Sequence, residues 1–287
     1  MKEEKLNEEK LNFGFILIDK PKGIKSREVT RTISNVLKTK AAHLGTLDPD
    51  ASGILPILLG RSTILTNFIM RQDKEYIATI KFSKDVDRDV EKEKLNKVLK
   101  KFIGVIEQIP PEISAVAKRK RKRKIYELEL LHVSGNIITI RVFCEAGTYI
   151  RTLAEDIGKK MKNDAELIDL RRTKLGKFTI EETVTFEKFL KSVEEKNFLI
   201  FIRSIEEIVP FKKVWINKGA VDPVKLGVSL KIPGIVKFEK FNKGEYVSIL
   251  TENDELIAVG IAVIDSDEIL KKEKGEAVKI DRVLRIK

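Results

Sequence analysis

The stretch KAAHLGTLDPDASG, residues 40–53, determines how the first half of this 287-residue chain is organised. Its glycines and proline predict an irregular loop between two regular elements. Before it, residues 29–37 carry apolar side chains at helical spacing, and Ser26 stands where a side chain would cap that helix. Within the loop, Asp48 precedes Pro49, and an aspartate in that position most often serves turn formation. The loop therefore needs partners elsewhere in the chain before it can be interpreted as a site.

Periodic apolar patterns on both sides of the loop predict a mixture of strands and helices. The predicted elements are a buried strand at 15–18, a half-buried strand at 76–82, a helix at 95–102, a hairpin of strands at 125–133 and 137–144, and a helix at 150–161. From Phe211 onward, short strands and Gly/Pro turns replace the longer helices, so we place a domain boundary near residues 203–211. The order predicts a mixed α/β domain followed by a small β-rich module.

Composition narrows the classes of function. Lys+Arg 56 against Asp+Glu 44 gives a net charge of +12, which suits a polyanionic partner and equally suits a lysine-rich, heat-adapted surface. One cysteine, Cys144, excludes an internal disulfide, and with two histidines the chain offers no metal site. No apolar stretch approaches the roughly 20 residues that span a bilayer, and residues 1–12 alternate Lys and Glu without the apolar core of a signal peptide. We therefore expect a cytoplasmic protein without a membrane partner.

Two other segments provide possible partners for Asp48. Lys74-Glu75-Tyr76 opens the strand at 76–82, and Arg151 enters the helix at 150–161 beside its apolar stripe. An arginine in that position can pair with a carboxylate and hold it ionised, as a carboxylate nucleophile requires. The alternative for Tyr76 is an aromatic of the core on a strand face. Sequence alone does not place these groups together.

Five segments in the same order resemble the TruB/dyskerin family of RNA pseudouridine synthases. They are Ile18–Pro21, His43–Gly53, Lys74–Tyr76, Glu145–Arg151 and Leu170–Thr173, and they span about residues 14–180. Five ordered matches are far more specific than any single motif.

The C-terminal part resembles the PUA domain of the archaeal and eukaryotic dyskerin-like branch. The matching segments are Ala220–Asp222, Gly227, Ile232–Gly234 and Ala258–Ala262. The resemblance implies an α+β fold with three parts. A charged tail at 1–14 precedes a mixed-sheet catalytic core at 15–205, and a small β-barrel-like PUA domain follows at 211–286.

The resemblance also implies a reaction. Asp48 is expected to be the nucleophile, Arg151 its ion-pair partner and Tyr76 the ring that stacks on the target uracil, with no cofactor. Two substrates are open: the uridine of the tRNA TΨC loop, and rRNA uridines selected by an H/ACA guide RNA together with the small H/ACA core proteins. A non-catalytic RNA-binding scaffold in ribosome biogenesis is the alternative to an enzyme.

Basic residues outside the catalytic set are candidates for RNA contact. The mid-domain run is interpreted, by resemblance, as a mobile thumb loop that grips RNA, although such runs are usually solvated or disordered. Its members are Lys118, Arg119, Lys120, Arg121, Lys122, Arg123 and Lys124. Arg171 and Arg172 could bind phosphate or form surface ion pairs. Lys20 and His43 are also predicted to contact RNA, His43 having the alternative of a loop hydrogen-bonder. His132 and Cys144 are predicted to be structural.

Overall fold

A computed structural model describes residues 2–110, 117 and 119–285, which fold into two sheets with flanking helices. Up to residue 204 the elements are α1 Lys2–Phe13, β1 Gly14–Lys20, α2 Ser26–Leu37, β2 Ala41–His43, β3 Ser52–Leu59, α3 Thr66–Ile69, β4 Lys74–Phe82, α4 Asp89–Lys100, β5 Gly104–Gln108, β6 Arg121–Ser134, β7 Ile137–Cys144, α5 Ile150–Met161, β8 Ala165–Leu175, β9 Phe178–Thr179, β10 Val184–Thr185, α6 Phe186–Glu194 and β11 Arg203–Ser204.

The remaining elements belong to the C-terminal module. They are β12 Lys212–Ile216, α7 Lys218–Lys225, β13 Leu230–Lys231, β14 Ile235–Phe238, β15 Tyr246–Thr251, β16 Leu256–Ala262, α8 Ser266–Ile269 and β17 Glu276–Val283. Short 3₁₀ helices occur at Gly60–Leu65, Ile180–Glu182, Phe198–Phe201, Ile205–Glu207 and Ile232–Gly234.

The first sheet is mixed and has the strand order β10-β1-β3-β8-β4-β7-β6-β5, with β11, β2 and β9 attached to β1, β3 and β8. Strand β3 runs antiparallel to β1 on one side and partly parallel to β8 on the other. It is buried along its whole length, because Ile54 and Leu58 pack in one hydrophobic cluster and Leu55, Ile57 and Leu59 in another. Strand β4 alternates as predicted: Tyr76, Ala78, Ile80 and Phe82 face the core beneath helices α4 and α5. The loop at residues 40–53 therefore enters the middle of the sheet through β3.

The second sheet has the order β13-β17-β16-β15-β12-β14 and begins at Lys212. A hydrophobic cluster joins the two sheets, since Leu250 and Leu256 of the module pack in one group with Phe15 and Leu58 of the first domain. The C-terminal module is thus docked on the domain that carries the loop.

The structure corrects the predicted charged tail at residues 1–14. Residues 2–13 form helix α1, and its last turn approaches the first domain so closely that a Cβ at Gly60 would lie 2.5 Å from the Asn12 Cα. Gly60 has a φ of 53°, a conformation that glycine adopts without strain. The Glu9 carboxylate pairs with Arg285 at 2.9 Å, which ties the helix to the C-terminal module.

The structure also corrects the thumb loop predicted at residues 118–124. Strand β6 begins at Arg121, so the second half of the basic run pairs with β5, with Gln108 opposite Arg121 and Val105 opposite Lys124. Seven consecutive basic residues have no polar–apolar alternation, so the sequence pattern did not indicate that the strand begins before Ile125. Lys118 lies outside the described residues.

Candidate active site

Asp48 lies on a loop that a buried hydroxyl holds in place. The Ser26 Oγ donates to the Leu47 carbonyl and accepts from the Leu47 amide, both at 2.9 Å, and Ser26 is 1% exposed. Ser26 was predicted to cap helix α2, but Lys25 occupies the N-cap position and Ser26 begins the helix. Its hydroxyl instead fixes the residue before Asp48, a role for which the sequence carries no signal.

Arg151 reaches Asp48 from the first turn of α5. Its Nη2 lies 3.2 Å from the Asp48 Oδ2, although the two residues are 103 positions apart in the chain. The ion pair that the family resemblance implied is therefore present. The Arg151 Nε is buried and has no hydrogen-bond partner among the described residues, so one donor remains available beside the carboxylate.

Tyr76 lies on β4 opposite Arg172 of β8 and is 8% exposed. The Arg172 side chain lies beside it, and burial raises the pKa of the phenol, so the hydroxyl stays protonated. A uracil can reach only a small part of this ring in the present conformation. Stacking of Tyr76 on the target base stays a prediction.

Arg172 is a buried cation that contacts several parts of the site. Its Nε donates to the Ile54 carbonyl at 2.8 Å and its Nη2 to the Gly45 carbonyl at 3.1 Å, and the side chain also contacts Tyr76. The residue is 1% exposed, so the prediction that Arg172 binds RNA phosphate is wrong. It links the Asp48 loop to the strand of Tyr76.

The prediction that Lys20 contacts RNA is also wrong, because this residue is buried. It is fully buried, and its Nζ donates to the carbonyls of Pro21, Ile24 and Pro49 at 2.7, 2.8 and 3.2 Å. Burial lowers the pKa of this amine. The ammonium group thus clamps the turn after β1 to the residue that follows Asp48, and it is not free to meet RNA.

Lys74 is a third buried cation, and sequence reasoning missed it. Its Nζ donates to the carbonyls of Met70 and Gln72 at 2.6 and 2.5 Å, and it is 4% exposed. Burial, followed by the charge of Arg172, lowers the pKa of Lys74 to about 8. The only sequence signal was its position directly before Glu75 and Tyr76.

Arg171 forms an ion pair, which was the alternative to phosphate binding. Its two Nη atoms contact the two Asp19 carboxylate oxygens at 3.1 and 2.7 Å, and Nη1 also lies 3.3 Å from the Ser52 Oγ. The guanidinium remains partly exposed, so an RNA contact by Arg171 stays a prediction.

His43 is held between two threonines. Its Nδ1 lies 2.9 Å from the Thr30 Oγ1 and its Nε2 3.2 Å from the Thr46 Oγ1. Burial and then the charges of Arg172 and Arg27 lower the pKa of the imidazole, so it is neutral at pH 7. The geometry matches the loop hydrogen-bonder, and RNA contact by His43 stays a prediction.

The end of the basic run lies close to the turn that leads into α5. The Glu145 carboxylate accepts from the Lys124 amide at 3.0 Å, and a Cβ at Gly147 would lie 3.0 Å from the Arg123 Nε. Arg121 and Arg123 are half-buried, whereas Lys122 and Lys124 are exposed, and so are Arg119 and Lys120. Lys120 makes one long pair, 3.9 Å, with Glu107. RNA binding by this run stays a prediction, and residues 121–124 of the run belong to strand β6.

Within residues 2–110, 117 and 119–285, no group of three or more His, Cys, Asp or Glu side chains could hold a metal ion. In the same part of the chain, none of the helices combines the length and apolarity needed to cross a membrane. Cys144 is buried on β7, and burial raises its thiol pKa to about 12.

Comparison with known proteins covers nearly the whole chain. The N-terminal domain of TruB family pseudouridylate synthases matches residues 31–150, the C-terminal domain of tRNA pseudouridylate synthase B matches 151–209, and the PUA domain matches 212–284. A relative from Pyrobaculum islandicum, named probable tRNA pseudouridine synthase B, is 39% identical over 98% of this chain and 88% of its own. One from Thermococcus gammatolerans with the same name is 41% identical over 95% of this chain and 84% of its own.

Comparison with solved structures points to the same family. A Cbf5-Nop10-Gar1 complex contains a chain that is 38% identical, with a TM-score of 0.87 over 98% of this chain and 87% of its own. An H/ACA ribonucleoprotein bound to a substrate RNA containing 2′-deoxyuridine contains one that is 37% identical, with a TM-score of 0.87 over 97% of this chain and 87% of its own. With an Asp48–Arg151 pair at the heart of a fold shared over its full length with these proteins, the chain belongs to the TruB family of RNA pseudouridine synthases, in its archaeal, PUA-containing branch.

Proposed function

We propose that this enzyme converts uridine to pseudouridine in the TΨC loop of tRNA, in rRNA positions chosen by an H/ACA guide RNA, or in both. The names of the Pyrobaculum and Thermococcus relatives support the tRNA substrate. The Cbf5-containing complexes support the guide-directed role and the association with Nop10 and Gar1. The observation that carries the proposal is the contact between Arg151 and Asp48 on a loop fixed by Ser26.

The chemistry assigned to Asp48 needs an ionised, held carboxylate. The guanidinium of Arg151 stabilises the charge, while the Ser26 hydroxyl limits motion of the loop. In the overall reaction the bond between N1 and C1′ breaks, and a bond between C5 and C1′ forms. The proton on C5 leaves to water and N1 gains one, so the isomerisation is balanced without any further reactant. A base must leave its stack for this exchange to occur.

Release of tritium from RNA labelled at uridine C5 tests the proposal. Full-length protein is incubated with labelled tRNA and, separately, with guide RNA, the small core proteins and labelled rRNA target. We expect one tritium to be released for each target uridine, and no release when that uridine is replaced by cytidine. Tight RNA binding with no release on either substrate would contradict the enzyme and support a scaffold.

A further inference from the structure

An open cleft of about 410 Å³ lies beside the active-site loop, between helix α2 and strand β2. Its lining residues are Arg27, Thr30, Arg31, Ser34, Asn35, Ala41, Ala42 and His43. None of them is in the set that contacts Asp48, and none of these lining residues is a carboxylate. The cleft is therefore a polar, basic feature separate from the Asp48–Arg151 pair.

Two arginines dominate the cleft. Arg27 and Arg31 are four residues apart on α2, so they share one face of the helix. Both are exposed, and neither forms an ion pair with any residue that the structure describes. Arg171, Arg141 and Arg203, in contrast, are each paired with carboxylates. Positive charge at the cleft is thus uncompensated by the protein.

His43, which lies in the lining of the cleft, is affected by the charge of Arg27. His43 is fixed by Thr30 and Thr46, and after burial the charges of Arg172 and Arg27 lower its pKa. A neutral imidazole with both ring nitrogens engaged adds no negative charge. The exposed Asn35 amide adds a neutral donor at the next turn of α2.

The cleft is close enough to Asp48 to be reached by an RNA strand that enters the active site. His43 is five residues from Asp48, so the chain between them spans at most about 18 Å. RNA placing a uridine at Asp48 has flanking phosphates at such distances, and arginine forks match phosphate oxygens in geometry and charge.

We propose that the Arg27–Arg31 cleft binds backbone phosphates of the RNA strand next to the target uridine, an assignment that rests on the proposed function. Phosphate contacts of this kind position a strand and carry no sequence information. A protein segment that docks through large apolar side chains is disfavoured as the occupant, because the only apolar side chains in the lining are those of Ala41 and Ala42. The cleft would therefore contribute affinity and register to every RNA substrate of the enzyme.

The test compares two charge-matched double variants of the full-length protein. Arg27→Gln/Arg31→Gln removes the cleft charges. Lys81→Gln/Lys84→Gln removes two exposed, unpaired lysines at the far end of β4 from Tyr76. RNA affinity is measured from 50 to 300 mM salt, thermal melts check folding, and tritium release is measured at saturating RNA. The cleft variant is expected to lose affinity and to lower the slope of log K against log salt by about 1.4–1.8, since each phosphate contributes about 0.7–0.9.

The control variant is expected to keep the wild-type slope, and both variants to keep wild-type turnover once saturated. A folded cleft variant with the wild-type slope overturns the proposal, and a protein occupant of the cleft would give that result. This failure is distinguishable from failure of the proposed function, because the wild type would still release tritium. Charge reversal, Arg27→Glu/Arg31→Glu, must weaken binding more than neutralisation does.

Discussion

Two sets of cations in this molecule have the same chemistry and opposite surroundings. Lys20, Lys74 and Arg172 are at most 4% exposed, and each donates to backbone carbonyls. Lys20 and Arg172 donate to carbonyls of the Asp48 loop, whereas Lys74 donates to those of Met70 and Gln72. Lys122 and Lys124 stand exposed on strand β6. The inner set donates to carbonyls in the protein interior, where water cannot replace a lost donor, whereas the outer set is exposed to solvent. In a nucleic-acid enzyme, a basic residue in a motif is therefore not by itself an RNA contact.

The largest effect is expected from the inner set. Arg172→Met leaves the carbonyls of Gly45 and Ile54 without their donor. At about 1–3 kcal/mol for each buried unsatisfied group, the free energy of unfolding should fall by about 2–6 kcal/mol. Urea denaturation at an unchanged m value measures the loss.

Arg171→Met is the matched control, because Arg171 is the neighbour of Arg172 on β8 but forms a partly exposed ion pair with Asp19. Its loss should stay below about 1 kcal/mol. Equal destabilisation by the two variants would remove the distinction between inner and outer cations.

Arg151 should affect turnover rather than stability. Arg151→Met removes the charge partner of Asp48, and loss of one such electrostatic contact typically costs about 100-fold or more in kcat. RNA affinity should remain within a few-fold. Lys159→Met, at an exposed site on the same helix, is the control and should behave as wild type. A normal kcat in Arg151→Met would refute the role of the ion pair.

The outer set should affect binding alone. Lys122→Gln/Lys124→Gln is expected to lower the slope of log K against log salt by about 1.4–1.8, with the unfolding free energy unchanged within about 0.5 kcal/mol. Titrations of RNA at several salt concentrations, beside the Lys81/Lys84 control, measure this. An unchanged slope would show that the start of β6 does not meet phosphate.

A further prediction concerns the pH dependence of stability. The pKa of Lys74 is about 8 in the folded protein and 10.5 ordinarily, so the unfolded chain binds the extra proton between these values. Stability from this group is therefore fully present above about pH 10.5 and is lost as pH falls through about 8, with a slope of up to about 1.4 kcal/mol per pH unit. Unfolding of wild type and Lys74→Met at pH 7.5 to 10 should show a rise only in the wild type. Parallel curves would mean that Lys74 titrates normally.

The sequence predicted those features that depend on periodicity and on ordered motifs. Alternation predicted the core face of β4, and the ordered motifs shared with the family predicted the pairing of Arg151 with Asp48, which the apolar stripe of α5 alone did not. Burial of Lys20 and Arg172 was not predictable, because it depends on carbonyls contributed by residues 29 and 127 positions away. Charge type alone assigned both to RNA.

Local charge patterns also concealed regular structure. Residues 2–13 alternate Lys and Glu, which suggested a tail, yet the helix they form is tied down by the Glu9–Arg285 pair and by the close approach at Gly60. That stabilisation is tertiary, so no window of the sequence contains it.

The assignment of Asp48 is tested most directly by single-turnover pseudouridine formation in two loop variants. Asp48→Asn keeps the shape of the side chain and removes the nucleophile, and Asp50→Asn makes the same change at an exposed position two residues later. Both are measured at saturating RNA, with the dissociation constant of each preparation. We expect no detectable product from Asp48→Asn, RNA affinity within a few-fold of wild type for both variants, and a near-normal rate for Asp50→Asn. Appreciable pseudouridine from Asp48→Asn, or equal loss in the two variants, would contradict it.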